Sequence, residues 1–180
     1  MRVVALIFMV LAFLVGAGCA GVLFKNIENR MGTDGDSQKT EEVYRLVEDA
    51  EKQIEELKKQ GIDITTSEDP QIKENLELIE KTPAKWKVDY AGKLGMLITL
   101  AAFVMIVLAF MKKEIVTKVS LLVVALSLTL WAITPDIEAG TFSGANPKSI
   151  ATIALVGLVI ASGCAFMSYK IHLKKSQATV

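Results

Sequence analysis

One histidine, His172, and two cysteines, Cys19 and Cys164, are the strongest metal ligands in this chain. Zinc takes four such donors, or three and an open position. Neither a zinc centre nor bis-histidine haem ligation fits within one copy. Asp136 and Glu138 stand two apart, a spacing that in a loop marks solvated charges more often than a weak cation site. The chain holds no phosphate-binding G-x-x-x-x-G-K-[ST] and no G-x-S-x-G. Its apolar stretches offer only hydroxyls: Thr99, Ser120, Ser127, Thr129, Thr152, Ser162 and Ser168. Ser120 and Ser127 are one heptad apart and share a helix face. Hydroxyls usually bond their own helix, and they do not relay ions across a bilayer as ionisable groups do. No catalytic residue, cofactor or metal is therefore expected.

The elements that carry these groups are apolar. Hydrophobic residues make up 52% of the 180 and concentrate in four runs: Val3–Phe24, Leu94–Met111, Val119–Ile133 and Ile150–Tyr169. Each is close to the roughly 20 residues a helix needs to cross a bilayer. None holds a charged residue, and Lys118 lies just before the third. The expected fold is an all-α membrane protein with four transmembrane helices, at 1–24, 94–111, 116–134 and 149–170. An acidic segment, 25–93, lies between the first two, and a short tail, 171–180, follows the last.

Charge orients this arrangement. Residues 25–93 carry 12 basic and 17 acidic side chains, and the rest of the chain 8 basic and 3 acidic. Seven of the eight bases outside that segment cluster as Arg2, as Lys112, Lys113 and Lys118, and as Lys170, Lys174 and Lys175; the eighth, Lys148, lies in the loop before the fourth helix. All three groups share one side if both termini are cytoplasmic, as the positive-inside rule asks. Trp86, Tyr90 and Trp131 then fall at the opposite headgroup layer, which suits amphipathic rings. At 1.5 Å per residue, Cys19 and Cys164 differ in depth by roughly 15 Å, beyond disulfide reach. There is no N-x-[ST] acceptor either. A bacterial inner membrane is the expected location, with 25–93 extracytoplasmic.

The first run ends in GAGCAG, residues 16–21. Lipidation at Cys19 wants a branched apolar residue three positions earlier, where Gly16 stands. Cleavage after Ala20 is chemically acceptable, but Val22, Leu23 and Phe24 carry hydrophobicity past the cut. ASGCAF, residues 161–166, repeats the composition where no processing is plausible. Both stretches read as packing seams. Ala12, Gly16 and Ala20 fall four apart, as do Gly157, Ala161 and Ala165, the small-xxx-small spacing that lets helix backbones approach in lipid. The first helix is expected to be retained.

Within the acidic segment, helices are expected near 38–60 and 70–82. Val43, Val47, Ala50, Ile54 and Leu57 recur at spacings of four and three, two heptads of a coiled-coil seam. Glu41–Arg45, Glu48–Lys52 and Glu55–Lys59 form i, i+4 pairs on the other face. Asp69 and Pro70 start the second helix, whose seam is Ile72, Leu76 and Ile79. Three seam residues opposite five, in an antiparallel hairpin, leave part of the longer edge for another chain. The expectation is a non-catalytic accessory, assembly or scaffolding subunit of a larger membrane complex. Its partners would be other integral membrane subunits or further copies, in contact with the lipid bilayer and not with nucleic acid. The alternative is a protomer of a homo-oligomeric channel or small-solute transporter lined by Ser120 and Ser127.

Overall fold

A computed structural model describes residues 2–33, 36–62, 64, 67, 69–137 and 145–177 of the chain. They form six helices: α1 (Arg2–Arg30), α2 (Ser37–Lys59), α3 (Pro70–Lys81), α4 (Lys85–Phe110), α5 (Val116–Ile133) and α6 (Pro147–Gln177). No strand occurs among the described residues.

Helix starts follow side-chain chemistry. The Asp36 and Asp69 carboxylates each accept from the amide two residues on, at 2.9 Å, and the Asn146 side chain accepts from Lys148 N at 2.8 Å. Pro70 and Pro147 occupy first helical positions, where no amide is needed. The ends of α1 and α2 share another device. Gly32 (φ 77°) and Gly61 (φ 76°) turn left-handed, and the next amide reaches back, Thr33 to Glu28 O and Ile62 to Leu57 O, both at 3.1 Å. This is the Schellman closure, which satisfies carbonyls the helix leaves open. Lys112 (φ 60°) does the same after α4 without glycine's freedom, with Lys113 N 3.1 Å from Leu108 O.

Three helices run past the hydropathy boundaries. Nothing in NIENR breaks a helix, so α1 continues six residues beyond Phe24 and ends only where Gly32 turns. α4 begins at Lys85 rather than near Leu94, because Val88 and Ala91 are fully buried and stabilise the extra turns by packing. α6 continues into the basic tail as far as Gln177.

α1, α4, α5 and α6 are each long and apolar enough to cross a membrane, and the chain is an integral membrane protein. They close a ring in the order α1, α4, α5, α6, with the most extensive contact between α1 and α6. The ring's interior follows a heptad rhythm. α4 buries Ala91, Gly95, Ile98, Ala102, Met105 and Ala109, and α5 buries Val116, Ser120, Val123, Ser127 and Leu130. These spacings alternate four and three, which turns one stripe of a helix toward its neighbours. Small side chains dominate the inside, while large ones face out: Met96 is 76% exposed, Leu121 68% and Val3 67%. A soluble bundle does the reverse, since water penalises exposed apolar area and lipid does not.

α2 and α3 meet through a smaller cluster. Ile54, Ile72 and Ile64, the last from the connecting loop, are buried together, with Leu57, Leu76 and Ile79 against them. Asn75 Nδ2 donates to Gln53 Oε1 across the pair at 2.9 Å. Glu48–Lys52 and Glu55–Lys59 are ion-paired at 2.9 Å on the solvated side of α2.

Candidate functional site

The five residues of the α2 edge divide into two zones. Ala50 and Ile54 are buried, and Leu57 packs against the α3 cluster, so the C-terminal half of the edge is occupied. Val43 and Val47 are half-buried. Beside Val47 lies a cleft of about 840 Å³, walled by α2 on one side and by Ile79, Thr82, Pro83, Ala84 and Lys85 on the other. Val47 and Ile79 give it an aliphatic centre, and Glu41, Glu42, Glu48 and Glu51 make the α2 wall acidic. Of the two seams, Val47 from α2 and Ile79 from α3 line the cleft.

The base of this cleft is fixed by groups from several helices. The Lys85 ammonium binds both Glu41 carboxylate oxygens at 2.8 Å and lies 5.7 Å from the centre of the Tyr44 ring. Tyr44 is packed against the main core, with its hydroxyl 3.7 Å from Met31 Sδ. Burial, and then the nearby Asp89 and Glu28 carboxylates, push its phenol up to about 12. Both causes disfavour the phenolate, so Tyr44 sits here as a neutral ring.

The membrane seams have specific counterparts. A Cβ on Gly157 would lie 2.9 Å from Gly16 Cα and 3.0 Å from Ala12 O, and one on Gly16 would lie 2.8 Å from Leu158 N. The two glycines therefore mark a contact of α1 and α6 at backbone distance. Ala161 and Ala165 continue the α6 stripe and are fully buried. Ala20 turns elsewhere, to α4, where a Cβ on Gly95 would come within 2.5 Å of Ala20 O. One small-residue stripe on α1 thus serves two neighbours.

The hydroxyls are engaged. Ser120 Oγ donates to Val116 O at 2.8 Å and Ser127 Oγ to Val123 O at 2.7 Å, each one turn back on its own helix. Both are buried between helices. Ser162 lies 3.5 Å from Met105 Sδ. Asp136 accepts from Asn146 Nδ2 at 2.6 Å, and Glu138 falls outside the described residues. Cys19 and Cys164 are free thiols on α1 and α6. Among the described residues, no three His, Cys, Asp or Glu side chains gather in a way that holds a metal.

Each end of the bundle has an anchoring cation. Arg2 donates to Ala109 O at 3.3 Å and to Ser168 Oγ at 3.4 Å, joining the first turn of α1 to the far ends of α4 and α6. At the other end Lys148 Nζ lies 4.2 Å from the Trp131 ring centre and caps α5 through Thr134 O at 3.3 Å. Cations belong at helix C-termini, where carbonyls converge.

Sequence reasoning had not singled out Gly95, Gly92, Tyr44 or Ile64. For Gly95 the signal was present: Ala91 and Gly95 stand four apart, as in the other seams. Ile64 joins a cluster from a loop, where no helical period exists to reveal it. Set against known protein families, curated proteins and solved structures, the chain matches none.

Proposed function

We propose that this chain is a non-catalytic accessory or assembly subunit of a larger membrane complex. Four packed helices hold it in the bilayer, and it engages its partner through an extracytoplasmic hairpin of α2 and α3. The carrying observation is the cleft beside Val47, an aliphatic centre with a net acidic α2 wall that the chain itself does not fill.

In this reading both termini lie on the cytoplasmic side of a bacterial inner membrane. Four spans keep them together, and Arg2, Lys112, Lys113, Lys118, Lys170 and Lys174 share that end. Single cysteines at Ser67 or Ser176, in a Cys19→Ser, Cys164→Ser background, test the orientation. An impermeant thiol reagent on intact cells should modify the first and spare the second; the reverse pattern inverts the topology.

The function itself is tested by solubilising the protein from its native membrane in mild detergent and sizing it. A particle larger than one copy in its micelle, which Ile54→Lys releases without loss of insertion, is expected. A monomer with nothing co-purifying overturns the reading.

A further inference from the structure

On the flank of the bundle, between α1 and α4, runs an open furrow of about 400 Å³. It is lined by Phe13 and Gly21 of α1 and by Met96, Thr99, Leu100 and Phe103 of α4. The one polar side chain, Thr99, turns its hydroxyl into the helices, 2.9 Å from Gly95 O and 3.4 Å from Ala17 O. The open surface is thus hydrocarbon. Gly21 gives the furrow part of its depth. A Cβ there meets no atom within 4 Å, whereas Gly16, Gly95 and Gly157 are held at backbone contact. Glycine inside a helix is destabilising relative to alanine, and packing within this chain gives no reason for it at residue 21.

Two cations lie one turn beyond the furrow's lining, toward one end. Lys25 follows Gly21 by four residues on α1, and Lys93 precedes Met96 by three on α4, so each continues the face that lines it. The helices run antiparallel, with Ala20 against Gly95 and Phe24 against Gly92, which brings both lysines to the same end. Both are exposed, and neither makes a hydrogen bond or ion pair among the described residues. Of the carboxylates one turn away in sequence, Glu28 is buried and Asp89 is exposed, and neither forms an ion pair with these lysines among the described residues.

A hydrocarbon furrow in a membrane-spanning surface, ending in two unpaired ammonium groups where the apolar runs stop, has the polarity of an anionic lipid. We propose that it binds one anionic phospholipid, with an acyl chain along Gly21, Met96 and Leu100 and the phosphate held by Lys25 and Lys93. A helix of a second copy is the competing occupant. It would press its own apolar face over the two lysines, and buried ammonium groups without a counter-charge are costly. A phosphate supplies that charge. This inference does not depend on the accessory-subunit reading.

The test uses the full chain in phosphatidylcholine vesicles carrying a trace of chain-spin-labelled phosphatidylglycerol or, separately, phosphatidylcholine. The protein-immobilised component of the electron spin resonance spectrum is read. Phosphatidylglycerol should be preferred, and Lys25→Gln with Lys93→Gln should cut that preference by up to about fivefold per lysine, the effect of one cation at a lipid surface. Gly21→Leu should displace the immobilised chain. Gly18→Leu, whose added Cβ also meets nothing within 4 Å but which does not line the furrow, should leave it in place. Circular dichroism and melting of all variants in detergent check folding. Equal association of the two lipids overturns the proposal, as does a phosphatidylglycerol preference that survives both the double lysine variant and Gly21→Leu. If Gly21→Leu instead turns an oligomer into a monomer with lipid preference unchanged, the furrow is a contact between copies and the proposal fails.

Discussion

The bundle and the α2–α3 pair use one spacing to opposite ends. Buried residues on α4 and on α2 both recur at alternating intervals of four and three. On α4 the stripe is mostly small, Ala91, Gly95, Ala102 and Ala109, and the opposite surface carries Met96, Leu100 and Phe103. On α2 the stripe contains Val47, Ile54 and Leu57, and the opposite surface carries Lys52, Glu55 and Lys59. Burying a leucine away from lipid gains little, so the membrane stripe is built for close approach. Burying an isoleucine away from water gains about 1.5–3 kcal/mol, so the aqueous stripe is built for area. Spacing says which face packs; residue size says against which solvent.

The sharpest way to break this contrast is to add volume to the bundle. Gly157→Leu drives a side chain into the backbone of Gly16 and Ala12. Overpacking costs about 1–3 kcal/mol and more where backbone must yield. This variant should have the lowest melting temperature in detergent of those described here, with Gly18→Leu close to wild type. Equal melting of the two would mean the glycine contact is not tight.

Charge in the aqueous stripe comes next. Ile54→Lys places an ammonium among Ile64 and Ile72 and forfeits that burial, about 1.5–3 kcal/mol. Residues 37–81 should become protease-sensitive while the four spanning helices stay inserted. Loss of insertion would show that the two regions fold as one.

The contact of Tyr44 with the bundle core should respond to alkali. Tyr44 has its folded pKa raised from the ordinary 10 to about 12. Its contribution is whole below pH 10 and is lost as pH rises through about 12, because the unfolded phenol gives up its proton first. Docking of α2 should therefore weaken over that window, and Tyr44→Phe should remove this component; protease sensitivity against pH measures it. An unchanged profile in Tyr44→Phe would assign the loss to other groups.

The smallest effect belongs to the solvated side of α2. Lys52 holds the Glu48 carboxyl below its usual range, so their pair contributes above the ordinary carboxylate pKa and fades as pH falls. The pair is fully exposed, and Glu48→Lys should leave proteolysis and melting unchanged. Sensitivity equal to that of Ile54→Lys would mean that the α2 spacing does not identify its packed face.

The four spans were legible because a bilayer imposes a composition on some twenty residues at a time. Helix ends were not, since hydropathy records where lipid stops and Gly32, Pro83 and Asn146 record where the helix does. The Gly16–Gly157 contact could be suspected from each stripe separately, but which helices meet depends on the ring order. That order also explains why Ala20 leaves the α6 stripe for Gly95. Tyr44 was hidden for another reason: its partners, Met31 and Lys85, come from two segments far apart in sequence, one just after α1 and one at the start of α4.

The widest contact in the ring joins α1 to α6, the first helix and the last of those described. As the chain leaves the ribosome, α1 can meet α4 once that helix is made, but the surface around Gly16 has no counterpart until Gly157 follows roughly 140 residues later. For that interval a strip made for backbone contact stands open to lipid or to any neighbouring helix with a matching groove. Closing the ring is thus a late event of biosynthesis, sealed when Arg2 reaches Ser168. Membrane insertion of α1 and its final placement are separate moments in the life of the chain.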